Sequence, residues 1–221
     1  TKDLDWSSID GIILHNHGIF TFDDDAKLSY DKMINAVSLA EDFLDEHAVV
    51  NVKHKYMHSD CNIAKIMKVM SEAKGYDVAI NINQTPLAAF YASQENFQEF
   101  ASRGVLTPEH ILRTKRVPLI MEATNLEEKL EEYMKDYEAY FEKFAFNKVL
   151  LNPAPNYMII KNLAVISFGK TREEAAIVND IVEHTMLAVL RADKLGGYKS
   201  ISLKDSFDME YWELEQAKLK I

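Results

Sequence analysis

Two stretches of this chain carry the same pattern, and that repetition limits the folds open to it. Gly11-Ile12-Ile13-Leu14-His15-Asn16-His17-Gly18-Ile19-Phe20-Thr21-Phe22 aligns without a gap over Tyr157-Met158-Ile159-Ile160-Lys161-Asn162-Leu163-Ala164-Val165-Ile166-Ser167-Phe168. Ile13 meets Ile159, Asn16 meets Asn162, Thr21 meets Ser167 and Phe22 meets Phe168. In both, strand-like apolar runs lead through a polar turn into a long helical pattern. In the first copy the runs are Ile12 to Leu14, read as a buried strand, and Ile19 to Phe22, with His15 to Gly18 between. Asp23 to Asp25 can then cap a helix carrying Leu28, Met33, Ile34, Val37, Ala40, Phe43 and Leu44 at helical spacing. Such a strand–turn–helix unit, met twice, is a duplicated or convergent element, or a chance likeness between two αβ units of similar composition. In the second copy Leu163 stands where the first has His17, and Ala164 where it has Gly18.

The rest of the chain fits an α/β protein rich in helix. With 7 glycines and 5 prolines in 221 residues, long helices suit it better than a turn-rich β-sandwich. Cys61 to Ala73 reads as a helix stopped by Gly75, and Val78 to Ile82 as a strand. Pro86 to Phe100 is helical in one or two pieces, and Thr107-Pro108 looks like a helix start. Val117 to Ile120 is extended. A long helix follows, capped by Thr124 or Asn125, with Leu126, Leu130, Tyr133, Tyr137, Tyr140, Phe141 and Phe144 in a stripe that reads as core or as a helix–helix contact. Pro153 and Pro155 mark a boundary. Met158 to Ile160 and Val165 to Phe168 are strand-like, and Thr171-x-x-Glu174 is a capping box opening a helix that ends near Gly196-Gly197. A final helix is expected between Asp205 and Ile221.

Charge and cysteine usage exclude some functions. A net charge of -10 argues against nucleic acid as a main partner, because phosphate backbones need a positive surface. The single cysteine, Cys61, forms no intrachain disulfide and fits a reducing, cytoplasmic setting. No apolar run reaches the roughly 20 residues of a membrane span, so no membrane partner is expected.

His15 and His17 are the first candidates for chemistry. Two apart on a strand, they would share a face, and neutral imidazole is the commonest zinc ligand. Two histidines nevertheless fall short of the three protein ligands a catalytic zinc usually has. His47, His54 and His58 follow no metal spacing and read as surface or hinge histidines.

The run Ile12-Ile13-Leu14-x-x-His17-Gly18-Ile19-x-Thr21 resembles the last metal-ligand segment of the class II aldolase/adducin family. Arg103 to Lys115, and Pro153 to Lys218 with Phe168-Gly169-Lys170-Thr171 and Phe207-Asp208-Met209-Glu210-Tyr211-Trp212, are similar to aldolase–dehydrogenase fusions of the rhamnulose-1-phosphate aldolase/alcohol dehydrogenase type. The resemblance implies a three-layer α/β/α aldolase-like domain, incomplete at its N-terminus, over residues 1–120. Residues 121–221 would form a connecting αβ domain, a degenerate repeat of the first unit. It implies zinc, with His17 as a third ligand whose partners and acid–base Glu lie upstream. The substrate would be a phosphorylated sugar, a ketose 1-phosphate cleaved by retro-aldol chemistry, and the protein a homo-oligomer. His110, Arg113 and Lys115 are the charged groups of the family-like segment that could approach a phosphate. Without a Gly-rich dinucleotide loop, NAD is not expected here. The opening at Thr1 directly before the best motif points to a piece of a longer protein, inactive alone. The alternative is a non-catalytic, adducin-like scaffold, with the aromatic helix from Asn125 to Phe146 as its assembly surface.

Overall fold

The computed structural model describes residues 4–14, 18–52, 61–122 and 124–220. They form two compact units, one of Thr1–Val49 with Lys194–Gly196, the other of Val50–Asp193 with Gly197–Ile221.

In the first unit, β1 (Gly11–Leu14) pairs antiparallel with β2 (Gly18–Thr21), and α1 (Ala26–His47) follows. The chain therefore reverses between Leu14 and Gly18, which are themselves a cross-strand pair. This corrects the reading of Ile12 to Phe22 as one continued strand, while His15 and His17 lie outside the described residues. Apolar runs on either side of a polar stretch look alike in sequence whether the chain continues or turns back. Asp25 caps α1 by accepting from the backbone N–H groups of Lys27 and Leu28. Thr21 and Ser29 exchange side chain–backbone hydrogen bonds of 2.8 and 3.1 Å, tying hairpin to helix. Lys32 adds ion pairs to Asp23 at 3.0 Å and Asp10 at 3.5 Å. The expected burial is not found: Ile13 is 79% exposed and Phe20 50%. One hairpin and one helix present too little surface to enclose both faces of two strands.

The second unit is a three-layer sandwich. In chain order it contains α2 (Ile63–Lys74), β3 (Ala79–Asn83), α3 (Pro86–Ser93), α4 (Phe97–Ser102), α5 (Ile111–Thr114), β4 (Leu119–Met121), α6 (Leu126–Phe144), β5 (Tyr157–Ile160), β6 (Ala164–Gly169), α7 (Arg172–Lys194), α8 (Leu203–Glu210) and α9 (Glu213–Ala217). The strands lie in the order β3-β6-β5-β4. β6 is antiparallel to both its neighbours, and β4 is parallel to β5. Side chains alternate across the sheet. Met158, Ile160, Ala164, Ile166 and Phe168 join Ile66 and Met70 of α2 and Leu126 and Leu130 of α6 on one face. Tyr157, Ile159 and Val165 join α3, α4 and the Val178, Val182, Met186 and Val189 face of α7 on the other. Strands apolar on both sides are what a sheet covered on both sides requires.

Local signals explain the element ends. Asn62 caps α2, and Gly75 ends it in the left-handed conformation at φ 75°. Thr171 accepts from Glu174 N–H at 3.2 Å, and the Glu174 carboxylate accepts from Lys170 N–H at 2.7 Å, a capping box displaced by one residue. Gly169 is required where β6 meets α7, because a Cβ there would lie 2.5 Å from the Ala175 nitrogen. Asn125 stands at the N-cap of α6 with a left-handed backbone (φ 72°) and makes no side-chain cap bond. The aromatic stripe of α6 is core: Tyr137 is buried with Phe207 and Tyr211, flanked by Tyr140, Phe141 and Phe144. Phe207 and Tyr211 stack at 4.4 Å. Tyr137 is thus not available as the assembly surface considered above. The boundary expected at 120/121 falls inside β4, a strand of the four-stranded sheet.

Equivalent positions of the two units should respond differently to truncation. Ile159→Ala and Ile166→Ala should each destabilise the chain by about 2–5 kcal/mol in urea unfolding, whereas Ile13→Ala should change it by less than about 0.5 kcal/mol. Equal losses at Ile13 and Ile159 would refute this assignment of the core.

Candidate functional site

The sequence candidates fall in two places. His15 and His17 belong to the connection between β1 and β2 and lie outside the described residues, as do His54 and His58. What is described is the frame around that connection. Gly18 has φ +156° with open space around it, so the backbone conformation rather than crowding calls for glycine after His17. A groove of about 560 Å³ between hairpin and helix is lined by residues that include Ile13, Ile19, Thr21, Asp23, Leu28 and Lys32. The hydrogen bond from Asp25 N–H and the Lys32 ammonium hold the Asp23 carboxyl below the usual range, and Asp23 in turn raises Lys32.

Of the other candidates, Lys115 belongs to an unusual polar centre in the second unit. Lys115 follows α5 with a positive φ of 59° and only 6% exposure. Its ammonium sits 3.6 Å from the centre of the Tyr137 ring and 3.8 Å from Glu210 Oε1. Tyr137 donates to the same Glu210 oxygen at 2.8 Å and lies 2.9 Å from the Tyr211 hydroxyl. Tyr211 accepts from Leu151 N–H at 3.4 Å, so its own proton is left for Tyr137. Glu210 is 2% exposed, and its Oε2 has no hydrogen-bond partner among the described residues. A second lysine stands close by. Lys74 donates to Asn156 Oδ1 at 2.8 Å, and Asn156 Nδ2 donates to the Arg113 carbonyl at 2.7 Å.

Burial sets the electrostatics. It pulls Lys74 down to about 7, helped by the like charge of Lys115 and opposed by Glu174. It pulls Lys115 down to about 8 against the attraction of Glu210. Burial also raises Glu210, against Lys115 and the Tyr137 hydroxyl. These groups are closed off from solvent, so their chemistry is to bind α5, α6 and α8 together.

The three residues proposed for a phosphate therefore have different surroundings. Lys115 is neutralised by Glu210, the Arg113 carbonyl holds Asn156, and the His110 ring faces that of His184 at 6.4 Å. Lys74 and Glu210 escaped the sequence reading because a lysine before a helix-ending glycine, and a glutamate between Met209 and Tyr211, look like solvated helix ends.

Replacing Glu210 by Leu should cost about 3–5 kcal/mol by stranding the Lys115 charge, and adding Lys115→Met should restore most of it. A double variant as unstable as the single one would show that the pair does not act as a unit. The depressed Lys74 and Lys115 values mean that the unfolded chain binds more protons above pH 7. Stability should therefore rise between about pH 7 and pH 9, below the range where tyrosines raised by burial, such as Tyr91, Tyr133 and Tyr137, act in the opposite sense, and Lys74→Met should reduce the slope by up to about 1.4 kcal/mol per pH unit. A slope untouched by Lys74→Met would contradict the assignment.

Among the described residues, no helix is long and apolar enough to cross a membrane, and no group of three His, Cys, Asp or Glu side chains could hold a metal ion. No solved structure matches the chain. A Bacillus subtilis (strain 168) protein named "Uncharacterized oxidoreductase YuxG" is 21% identical over 236 residues, covering 95% of this chain and 34% of that protein. The chain thus spans about a third of that relative's length. Residues 59–219 match the family described as "Aldolase class II, second domain". That stretch takes in most of the three-layer unit and nearly three quarters of the sequence, and the chain belongs to this class II aldolase family.

Proposed function

We propose that this chain is part of a zinc-dependent class II sugar-phosphate aldolase, in which the first unit carries one metal ligand and the second is a non-catalytic scaffold domain. The observation behind this reading is the family match over residues 59–219, set beside the His17-Gly18 motif of the first unit. His17 would be the ligand contributed by this chain, with His15 beside it. By the family resemblance, the remaining ligands and the acid–base carboxylate would come from elsewhere in the polypeptide. A bound zinc would polarise the substrate's carbonyl oxygen. The glycine at position 18 supports the reading, because its backbone conformation is one that few residues other than glycine adopt.

The scaffold role of the second unit rests on its own turn. Leu163, at the place of His17, is only 7% exposed and belongs to the apolar core, so the polar site has been replaced by a packed side chain. The substrate proposed is a ketose 1-phosphate such as rhamnulose 1-phosphate. The oxidoreductase name of the Bacillus relative agrees with a parent protein that also carries a dehydrogenase. A cytoplasmic homo-oligomer is the proposed setting.

Zinc titration by calorimetry tests this directly. The 221-residue chain should show no stoichiometric site tighter than about micromolar, because two imidazoles fall short of the three protein ligands such sites need. Stoichiometric binding well below micromolar, abolished by His17→Ala, would instead mean that the chain holds a complete site.

A further inference from the structure

A groove between α6 and the start of α8 holds a cation without a counterion. It encloses about 430 Å³, and its apolar walls include Val117, Pro118, Ala139 and Leu203. Helical spacing builds one side of it. Tyr133, Tyr137 and Tyr140 lie three and four residues apart on α6, so they share a face. The Tyr133 hydroxyl donates to the Val117 carbonyl at 2.9 Å, which fixes residues 116–118 along that face.

Three charged residues also line the groove, Arg116, Asp136 and Lys143. Asp136 and Lys143 are exposed, whereas Arg116 is partly buried. Arg116 forms no ion pair among the described residues. It donates one long hydrogen bond, from Nη2 to the Arg103 carbonyl at 3.5 Å, and its Nε is buried without a partner. The Tyr140 hydroxyl is also buried without a partner. Burial pushes the Arg116 guanidinium down, and the groups opposing that shift are the Tyr140 and Tyr198 hydroxyls rather than a carboxylate. A guanidinium does not lose its proton inside a protein, so the charge stays. Other enclosed cations of this unit are compensated. Lys115 has Glu210 at 3.8 Å, and Arg103 has Glu99 at 2.6 Å.

We propose that this groove binds a small organic acid, its aliphatic or aromatic body against the apolar walls and its single carboxylate on Arg116. Charge and shape select that class. Arg116 and Lys143 against Asp136 leave one net positive charge, which a monoanion cancels and a phosphate dianion exceeds. A planar carboxylate can accept two parallel N–H bonds from one guanidinium. The volume is that of a small-molecule site, and such sites are mostly apolar with a few placed polar groups. The inference goes beyond the proposed function, and it holds whether or not His17 is a metal ligand.

Titration of the 221-residue chain with 3-phenylpropionate at neutral pH, followed by NMR, tests it. Saturable binding with a Kd of about 1 mM or tighter is expected for a ligand of this size. The neutral 3-phenylpropanol, equal in body, and acetate, equal in charge, should each bind at least about tenfold more weakly. Phenyl phosphate should also bind less tightly than 3-phenylpropionate. Arg116→Met should weaken 3-phenylpropionate at least about tenfold and move Tm by less than about 3 °C, since it removes a charge that nothing in the protein compensates. Ala139→Trp, on an exposed position of α6, should fill the groove and abolish binding with the fold kept. No saturation by about 10 mM would overturn the proposal. So would equal or tighter binding of 3-phenylpropanol or phenyl phosphate, or an affinity untouched by either substitution.

Discussion

Both faces of the β5–β6 hairpin are apolar, so water must be excluded from each, and the rest of the second unit is arranged to do that. Ile159 and Val165 look toward α3, α4 and α7, while Met158, Ile160 and Ile166 look toward α2 and α6. β3 and β4 close the two edges. Backbone groups that would otherwise be buried without partners are thereby satisfied in the ladder. The helices owe their positions to this hairpin, and their apolar stripes match the face each one covers.

The first hairpin has the same backbone plan without the same enclosure. Its side chains are apolar at the corresponding positions, yet they remain largely open in the described structure. Sequence and surroundings disagree there. The difference between the turns follows the same division. The first carries two histidines before a glycine at φ +156°, and the second carries Leu163 inside the core. On the proposed function, the chemistry would belong with the first unit and the scaffold role with the second.

Polar groups inside the second unit serve this closure. Lys115, Tyr137, Glu210 and Tyr211 join the end of α5 to α6 and α8 by contacts that replace solvent with one another. Replacing water around two charges is expensive, and the excess shows as lysines shifted toward neutrality. Such a centre specifies how the helices meet, and it leaves Lys115 committed rather than available to a substrate.

Much of this was legible in the sequence where local chemistry decides it. The apolar runs at 158–160 and 165–168, the Thr171-x-x-Glu174 box and the Gly75 stop all lie where expected, because each acts within a few residues. The α/β class followed from the same signals. The reversal between β1 and β2 was not legible, since strand pairing is a long-range choice that His15-Asn16-His17 does not announce. Nor was the polar centre, whose members lie at positions 74, 115, 137 and 210 and meet only once the helices are in place. The second unit is a closed domain organised by β5 and β6. Calorimetric unfolding of residues 50–221 alone tests it most directly. A single cooperative transition, within a few degrees of the main transition of the whole chain, is the predicted result. A fragment with no transition, or one that melts far below the intact chain, would contradict it.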